Sequence, residues 1–157
     1  INKYHNTHTM SLEIEINNGI KQAMLGKEKV RLAALRAIKA EILLAKTADG
    51  SDEISDAAIL KIIQKLVKQR KESAAVYTAN NRPELAENEL AEATCLEVYL
   101  PKQLEGAELE NILKEIIAQV GAKTPADMGK VMGVATKKLA GQADGRTISE
   151  TVKRLLS

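Results

Sequence analysis

Phenylalanine and tryptophan are absent from the 157 residues, and three tyrosines, Tyr4, Tyr77 and Tyr99, are the whole aromatic complement. That removes the residues on which β-sheets and base-stacking platforms for single strands rely. A single cysteine, Cys95, excludes an intramolecular disulfide and fits a reducing compartment, read here as the cytoplasm. Both histidines, His5 and His8, fall in INKYHNTHT ahead of Met10. This polar, aperiodic stretch (1–9) reads as a leader outside the fold. A metal pair at i, i+3 is the alternative, but no cysteine or carboxylate cluster nearby completes a site. No apolar run approaches the roughly 20 residues of a membrane span, and no h-region precedes a cleavage site, so no membrane partner is expected. The net charge of +2 is too small to announce a nucleic-acid binder by itself.

What remains is 45% hydrophobic and 28% charged, rich in Ala, Leu, Glu and Lys, and predicts an all-α protein. Leu12, Ile16, Ile20 and Met24, four apart, describe a first helix closed by Gly26. A second carries Val30, Leu35, Ile38 and Ile42 through KVRLAALRAIKAEILLAK, and TADGSDE reads as a loop turning at Asp49-Gly50. Ser55 can cap a third, with Ile59, Ile62, Ile63, Leu66 and Val67 on one face and Lys61, Lys65, Lys68, Arg70 and Lys71 on the other. Asn80-Asn81 breaks it, and Pro83 fits the first position of a fourth. That helix is acidic: Glu84, Glu87, Glu89, Glu92 and Glu97. The two suggest an antiparallel pair with complementary flanks. The basic run then reads as a solvated face or a partner for the glutamates, with an RNA surface as the alternative.

Pro101, within YLPKQL, should stop the fourth helix. The expected organisation is an N-terminal helical domain over 10–100, a hinge over 101–104 and a C-terminal domain over 105–157. In the latter, Leu109, Ile112, Leu113, Ile116, Ile117 and Val120 trace an apolar stripe that ends at Gly121. Thr124-Pro125-Ala126-Asp127 opens the next helix. Met128, Val131, Met132, Ala135 and Leu139 form its buried side, and Gly141 ends it. Asp144 can cap a last helix bearing Ile148, Val152 and Leu155.

DMGKVMGVATKKLAGQADG, from Asp127 to Gly145, is the stretch that bears on function. A phosphate loop needs Gly, four residues, then Gly-Lys-Ser/Thr between strand and helix. Here Lys130 directly follows Gly129 and no strand precedes, so both pattern and context fail. Gly129 and Gly133 share a helical face, and each costs roughly 1 kcal/mol relative to alanine. The expected compensation is close packing against a neighbouring helix, with docking of a partner's phosphate backbone as the alternative. From Lys123 onward seven basic residues (Lys123, Lys130, Lys137, Lys138, Arg146, Lys153 and Arg154) face three acids, Asp127, Asp144 and Glu150. Of these, Lys130, Lys137, Lys138, Arg146 and Lys153 are the candidate RNA contacts, suited to the backbone of a folded RNA. Catalysis has little to work with. No histidine lies outside the leader, and Cys95 among glutamates suits a small hydrophobe better than a nucleophile. No carboxylate pair separates an acid from a base, and no metal or cofactor is expected.

YLPKQL, DMGKVMG and GQADGRTISETVKRLL, in that order, resemble the GatB/YqeY family. KIIQKLVKQRKESAAVYTANNRPELAENELAEATCLEVYLPKQL resembles the N-terminal part of its free-standing members. The C-terminal unit is similar to the tail of the B subunit of the glutamine-dependent amidotransferase acting on Glu-tRNA(Gln) or Asp-tRNA(Asn). In that enzyme the tail is a tRNA-contacting appendage. Met128, Gly129, Lys130, Val131, Met132, Gly133, Lys137, Lys138, Gly141, Ala143 and Asp144 match its motif. Asp144-Gly145 stands where that tail tends to have Asn-Pro, and a carboxylate there is less welcoming to phosphate. Nothing matches the B subunit's kinase-like cradle or the partner subunit's amidase. The resemblance implies a non-catalytic adaptor with tRNA, amidotransferase or other translation proteins as partners. A role as accessory in amidotransfer, a carbon–nitrogen ligation with glutamine as amide donor, rests on it alone. A protein-interaction module without RNA is the further alternative.

Overall fold

The structure, a computed structural model, describes residues 11–157; the leader and its histidines lie outside the described residues. Seven α-helices and no strand occur among them, an all-α fold. They are α1 (Leu12–Leu25), α2 (Lys29–Asp49), α3 (Asp56–Ala79), α4 (Pro83–Glu97), α5 (Gly106–Val120), α6 (Met128–Lys138) and α7 (Gly145–Leu155). They fall into two compact units, 11–99 and 100–157 of the described residues.

In the first unit α2 packs against α1, α3 and α4, and α3 runs with α4 as a long hairpin. Ile16, Leu35, Ile38, Ile42, Ile59, Ile63 and Leu96 are fully enclosed, each burial contributing about 1.5–3 kcal/mol. Local chemistry starts the helices. The Ser11 and Ser55 hydroxyls accept from the Ile14 and Ala58 amides at 3.2 and 3.1 Å, so Ser55→Ala should cost about 1 kcal/mol of this unit's stability in urea titration. An unchanged midpoint would show that the cap is dispensable. The amide of Leu12 donates to Asp56 Oδ1 at 3.0 Å, so α1 and α3 begin at the same end.

In this unit, one buried row and two boundaries differ from expectation. The spacing of four in α1 drifts around the helix, since 3.6 residues make a turn. The buried row is Leu12, Ile16, Gly19 and Ala23, and Met24 is exposed. The second helix continues through Thr47-Ala48-Asp49 until Gly50, whose left-handed φ of 63° closes it. The fourth ends at Glu97 with Val98 as its cap, ahead of Pro101, which disfavours helix directly only at Leu100.

The flanks of α3 and α4 meet as the charge pattern suggests. Arg70 reaches Glu89 and Glu92 at 3.8 and 3.6 Å, and Lys71 reaches Glu97 at 3.1 Å. Cys95 is half-buried on α4.

The second unit is a three-helix cluster. Leu109, Leu113 and Ile116 of α5, Val131 and Ala135 of α6, and Ile148 and Val152 of α7 form its core with Leu104, Leu139 and Leu156. Gly121 closes α5 with a φ of 70°, whereas α6 ends earlier than expected, at Lys138 with Leu139 as its cap, and Gly141, φ 78°, lies in the turn that follows.

Candidate nucleic-acid interface

The start of α6 is built by a capping box between Thr124 and Asp127 around a 3₁₀ turn, Pro125–Asp127. Asp127 Oδ2 accepts from the amides of Lys123 and Thr124 at 2.9 and 3.2 Å. These two bonds, with the charge of Lys130 behind them, hold its carboxyl below the ordinary carboxylate range. A depressed acid stabilises the fold at pH above its unfolded value, and that contribution disappears as pH falls through the folded one. The start of α6 should therefore loosen only in acid, below pH 3.8, the ordinary value for the group. Amide exchange at Lys123 and Thr124 would report it, and Asp127→Asn should show faster exchange already at neutral pH. Equal protection in the variant would contradict this role.

From this anchored start, α6 turns Val131, Ala135, Met128 and Met132 toward the core and leaves the opposite arc to solvent. In helical order that arc reads Gly129, Gly133, Lys137, Lys130, Val134 and Lys138. A Cβ placed on Gly129 or Gly133 meets nothing within 4 Å. The expected packing against a neighbouring helix is therefore corrected: no described residue approaches either glycine. The reason is rotational. Both lie opposite the row of α6 that faces α5 and α7, and their alternative, docking by a partner, is the one left open.

The basic residues divide by what already holds them. Lys130, Lys137, Lys138 and Lys153 are exposed and make no ion pair among the described residues. Arg146 donates to Glu150 at 3.0 Å, with both side chains mostly in water, a pair worth little and readily exchanged. Arg154 reaches Glu110 at 3.3 Å and holds that carboxyl below its usual range. Asp144 is occupied at the α7 cap, accepting from the amide and hydroxyl of Thr147 at 2.8 and 2.9 Å. The glycines and three lysines thus share the surface of α6, while Lys153 sits at the far end of α7.

Sequence reasoning missed the stitch that closes this unit. Gln103 Nε2 donates to the Gly141 carbonyl at 2.6 Å, the Leu104 amide to the Gln142 carbonyl at 2.8 Å, and Gln142 Nε2 to the Lys102 carbonyl at 3.3 Å. YLPKQL and GQADG are thereby tied together, and the signal was the glutamine in each.

The family model described as Yqey-like protein matches residues 13–156. Among curated relatives, a protein of Meyerozyma guilliermondii named altered inheritance of mitochondria protein 41, mitochondrial, is 32% identical over 76% of this chain and 64% of its own length. Its namesake in Pyrenophora tritici-repentis is 30% identical over 87% and 76%. A Thermococcus gammatolerans protein named as a subunit of glutamyl-tRNA(Gln) amidotransferase is 29% identical over 88% of this chain but 21% of its own. The chain therefore spans just under two thirds of the first relative and about a fifth of the amidotransferase subunit. The mitochondrial names overturn the cytoplasmic location expected from Cys95. A lone thiol excludes a disulfide framework and does not distinguish one interior compartment from another.

Proposed function

We propose that this chain, which belongs to the Yqey-like protein family, is a non-catalytic helical adaptor that binds tRNA through the outer face of α6. The observation that carries the reading is the pair of bare glycines, where an added Cβ meets nothing within 4 Å, beside the exposed Lys130, Lys137 and Lys138. Helix-interior glycines without a packing role cost stability for no return inside the fold. Beside unpaired lysines, they let a phosphate backbone come close to the helix. The relationship to a subunit named for Glu-tRNA(Gln) supports the choice of RNA.

Mobility shifts with tRNA across a salt series test it. The wild-type affinity should fall steeply with salt. Reversing the charges of Lys137 and Lys138 should leave melting nearly unchanged and flatten the salt slope by about two. Absence of tRNA binding at low salt would refute the reading. The glycines give an independent test. Gly129→Ala and Gly133→Ala should each stabilise the fold by about 1 kcal/mol, since the added methyl meets open space and favours helix, while weakening tRNA binding. Stabilisation with undiminished binding would leave the glycines without a docking role.

A second reading, an accessory in glutamine-dependent tRNA amidotransfer, is favoured by the 88% of this chain that aligns with the amidotransferase subunit. It expects a changed amidation rate when the chain is added to the enzyme, and no turnover by the chain alone.

A further inference from the structure

The basic residues of the first unit lie on two faces, and the fold uses only one. Arg70 and Lys71 are spent on α4. Lys61 and Lys68 flank Lys65 by about one turn, and Lys65 reaches Glu41 of α2 at 3.4 Å, so the three line the edge of α3 that borders α2. On the other side of α2, Lys46 pairs with Glu13 of α1 at 2.6 Å, and Lys39 and Arg31 donate to Asn17 and Gln22 of α1. The middle helix of this layer presents Lys29, Arg36, Ala40, Leu43 and Leu44 outward. Lys21 and Leu25 of α1 and Lys27 of the turn are exposed as well.

Six cations of the layer, Lys21, Lys27, Lys29, Arg36, Lys61 and Lys68, make no ion pair among the described residues. Glu13, Glu28 and Glu41 are already engaged by Lys46, Arg31 and Lys65. Glu15, Asp49, Asp52, Glu53 and Asp56 gather at the end where α1 and α3 begin and α2 stops, and Glu72 lies beyond Lys68, so the cations dominate only away from that end. Large aliphatic side chains are exposed on the same helices: Leu25, 87% exposed, is close in sequence to Lys21, Lys27 and Lys29, and Leu43 and Leu44, 53% and 65% exposed, follow Arg36 along α2.

We propose that the outer face of the α1–α2–α3 layer docks on an anionic lipid bilayer. The cations would lie against the headgroup phosphates, and Leu25, Leu43 and Leu44 would enter the interface. Charge complementarity selects an anionic partner, and the aliphatics select lipid over RNA. A nucleic-acid backbone takes the cations but leaves the leucines in water, whereas a bilayer surface rewards both. No helix among the described residues is long and apolar enough to cross a membrane, so the contact is peripheral; the expectation of no membrane partner rests on the lack of a span and excludes insertion, not surface docking. It does not depend on tRNA binding by α6.

Co-sedimentation of the full chain with vesicles tests it, using phosphatidylcholine alone or with about one third phosphatidylserine. Binding should require the anionic lipid and fall with salt. Lys29→Glu with Arg36→Glu should weaken it by at least about thirtyfold, and Leu43→Ser with Leu44→Ser about tenfold, with helicity unchanged in both. Reversal of Lys137 and Lys138 should leave it intact. The proposal is overturned if no vesicle binding occurs at low salt. It is equally overturned if the leucine pair has no effect, if the α6 reversal abolishes binding, or if Lys29→Glu with Arg36→Glu impairs tRNA binding while sparing vesicles.

Discussion

Truncation of Leu113 to alanine is expected to unfold the three-helix unit while the first unit melts as before. Leu113 is fully buried on α5, in the core with Val131 and Ala135 of α6 and Ile148 and Val152 of α7. Removing it withdraws the transfer energy of three carbons and leaves a cavity, together about 2–5 kcal/mol. A cluster of this size, without disulfide or metal, rarely holds more than about 3–5 kcal/mol in total. The loss is therefore comparable to the whole. Calorimetry of the variant should show the transition of 100–157 shifted far down or missing, with that of 11–99 in place. Tight tRNA binding should vanish with it, because Lys130, Lys137 and Lys138 share a surface only while α6 is helical. A variant that melts like wild type would place the stability of this unit elsewhere than in its apolar core.

The same core shows what the sequence makes legible. The stripe Leu109, Leu113, Ile116 and the row Val131, Ala135, Leu139 follow helical periodicity closely enough to be read directly, because burial and spacing there share one cause. The basic helix facing an acidic one was also readable, since Arg70, Lys71 and the glutamates of α4 are joined by a short turn. Two things were not. The outer face of α1 and α2 draws its cations from three helices that the shared apolar core brings together and that the Lys46–Glu13 and Lys65–Glu41 contacts mark as neighbours, and no local window contains them. Glycine spacing, in turn, identifies which residues share a helical face without saying whether that face meets a neighbour. Gly129 and Gly133 advertise close packing by their spacing and stand in the open. The glycine that other helices approach is solitary and sits in a polar context, with no spacing to advertise it.

That glycine is Gly19, and replacing it with leucine is expected to destabilise the first unit by about 3 kcal/mol. It lies buried on α1 between α2 and the end of α4. A Cβ built there would stand 2.8 Å from the Tyr99 hydroxyl, 3.0 Å from Leu35 Cδ1 and 3.5 Å from Arg31 Nη2. Leu35 is fully enclosed and cannot retreat without displacing the core. The Tyr99 hydroxyl and Arg31 Nη2 both border this position, and Arg31 donates to Glu28 and Gln22 at 3.0 and 3.3 Å; Glu28 and then Tyr99 hold the guanidinium pKa above its ordinary value. Leucine would thus overfill one side and break a polar cluster on the other. Alanine sets two effects against each other. Its helix preference gains about 1 kcal/mol over glycine, and the tight contacts with Leu35 and Tyr99 consume it, so Gly19→Ala should come out near neutral. Tyr99→Phe removes the atom at 2.8 Å, and Gly19→Ala should be more favourable in that background than in wild type. Urea titration of the four proteins in this cycle measures the coupling. If Gly19→Leu costs less than about 1 kcal/mol, or the coupling is zero, Tyr99 does not pack against α1 as described.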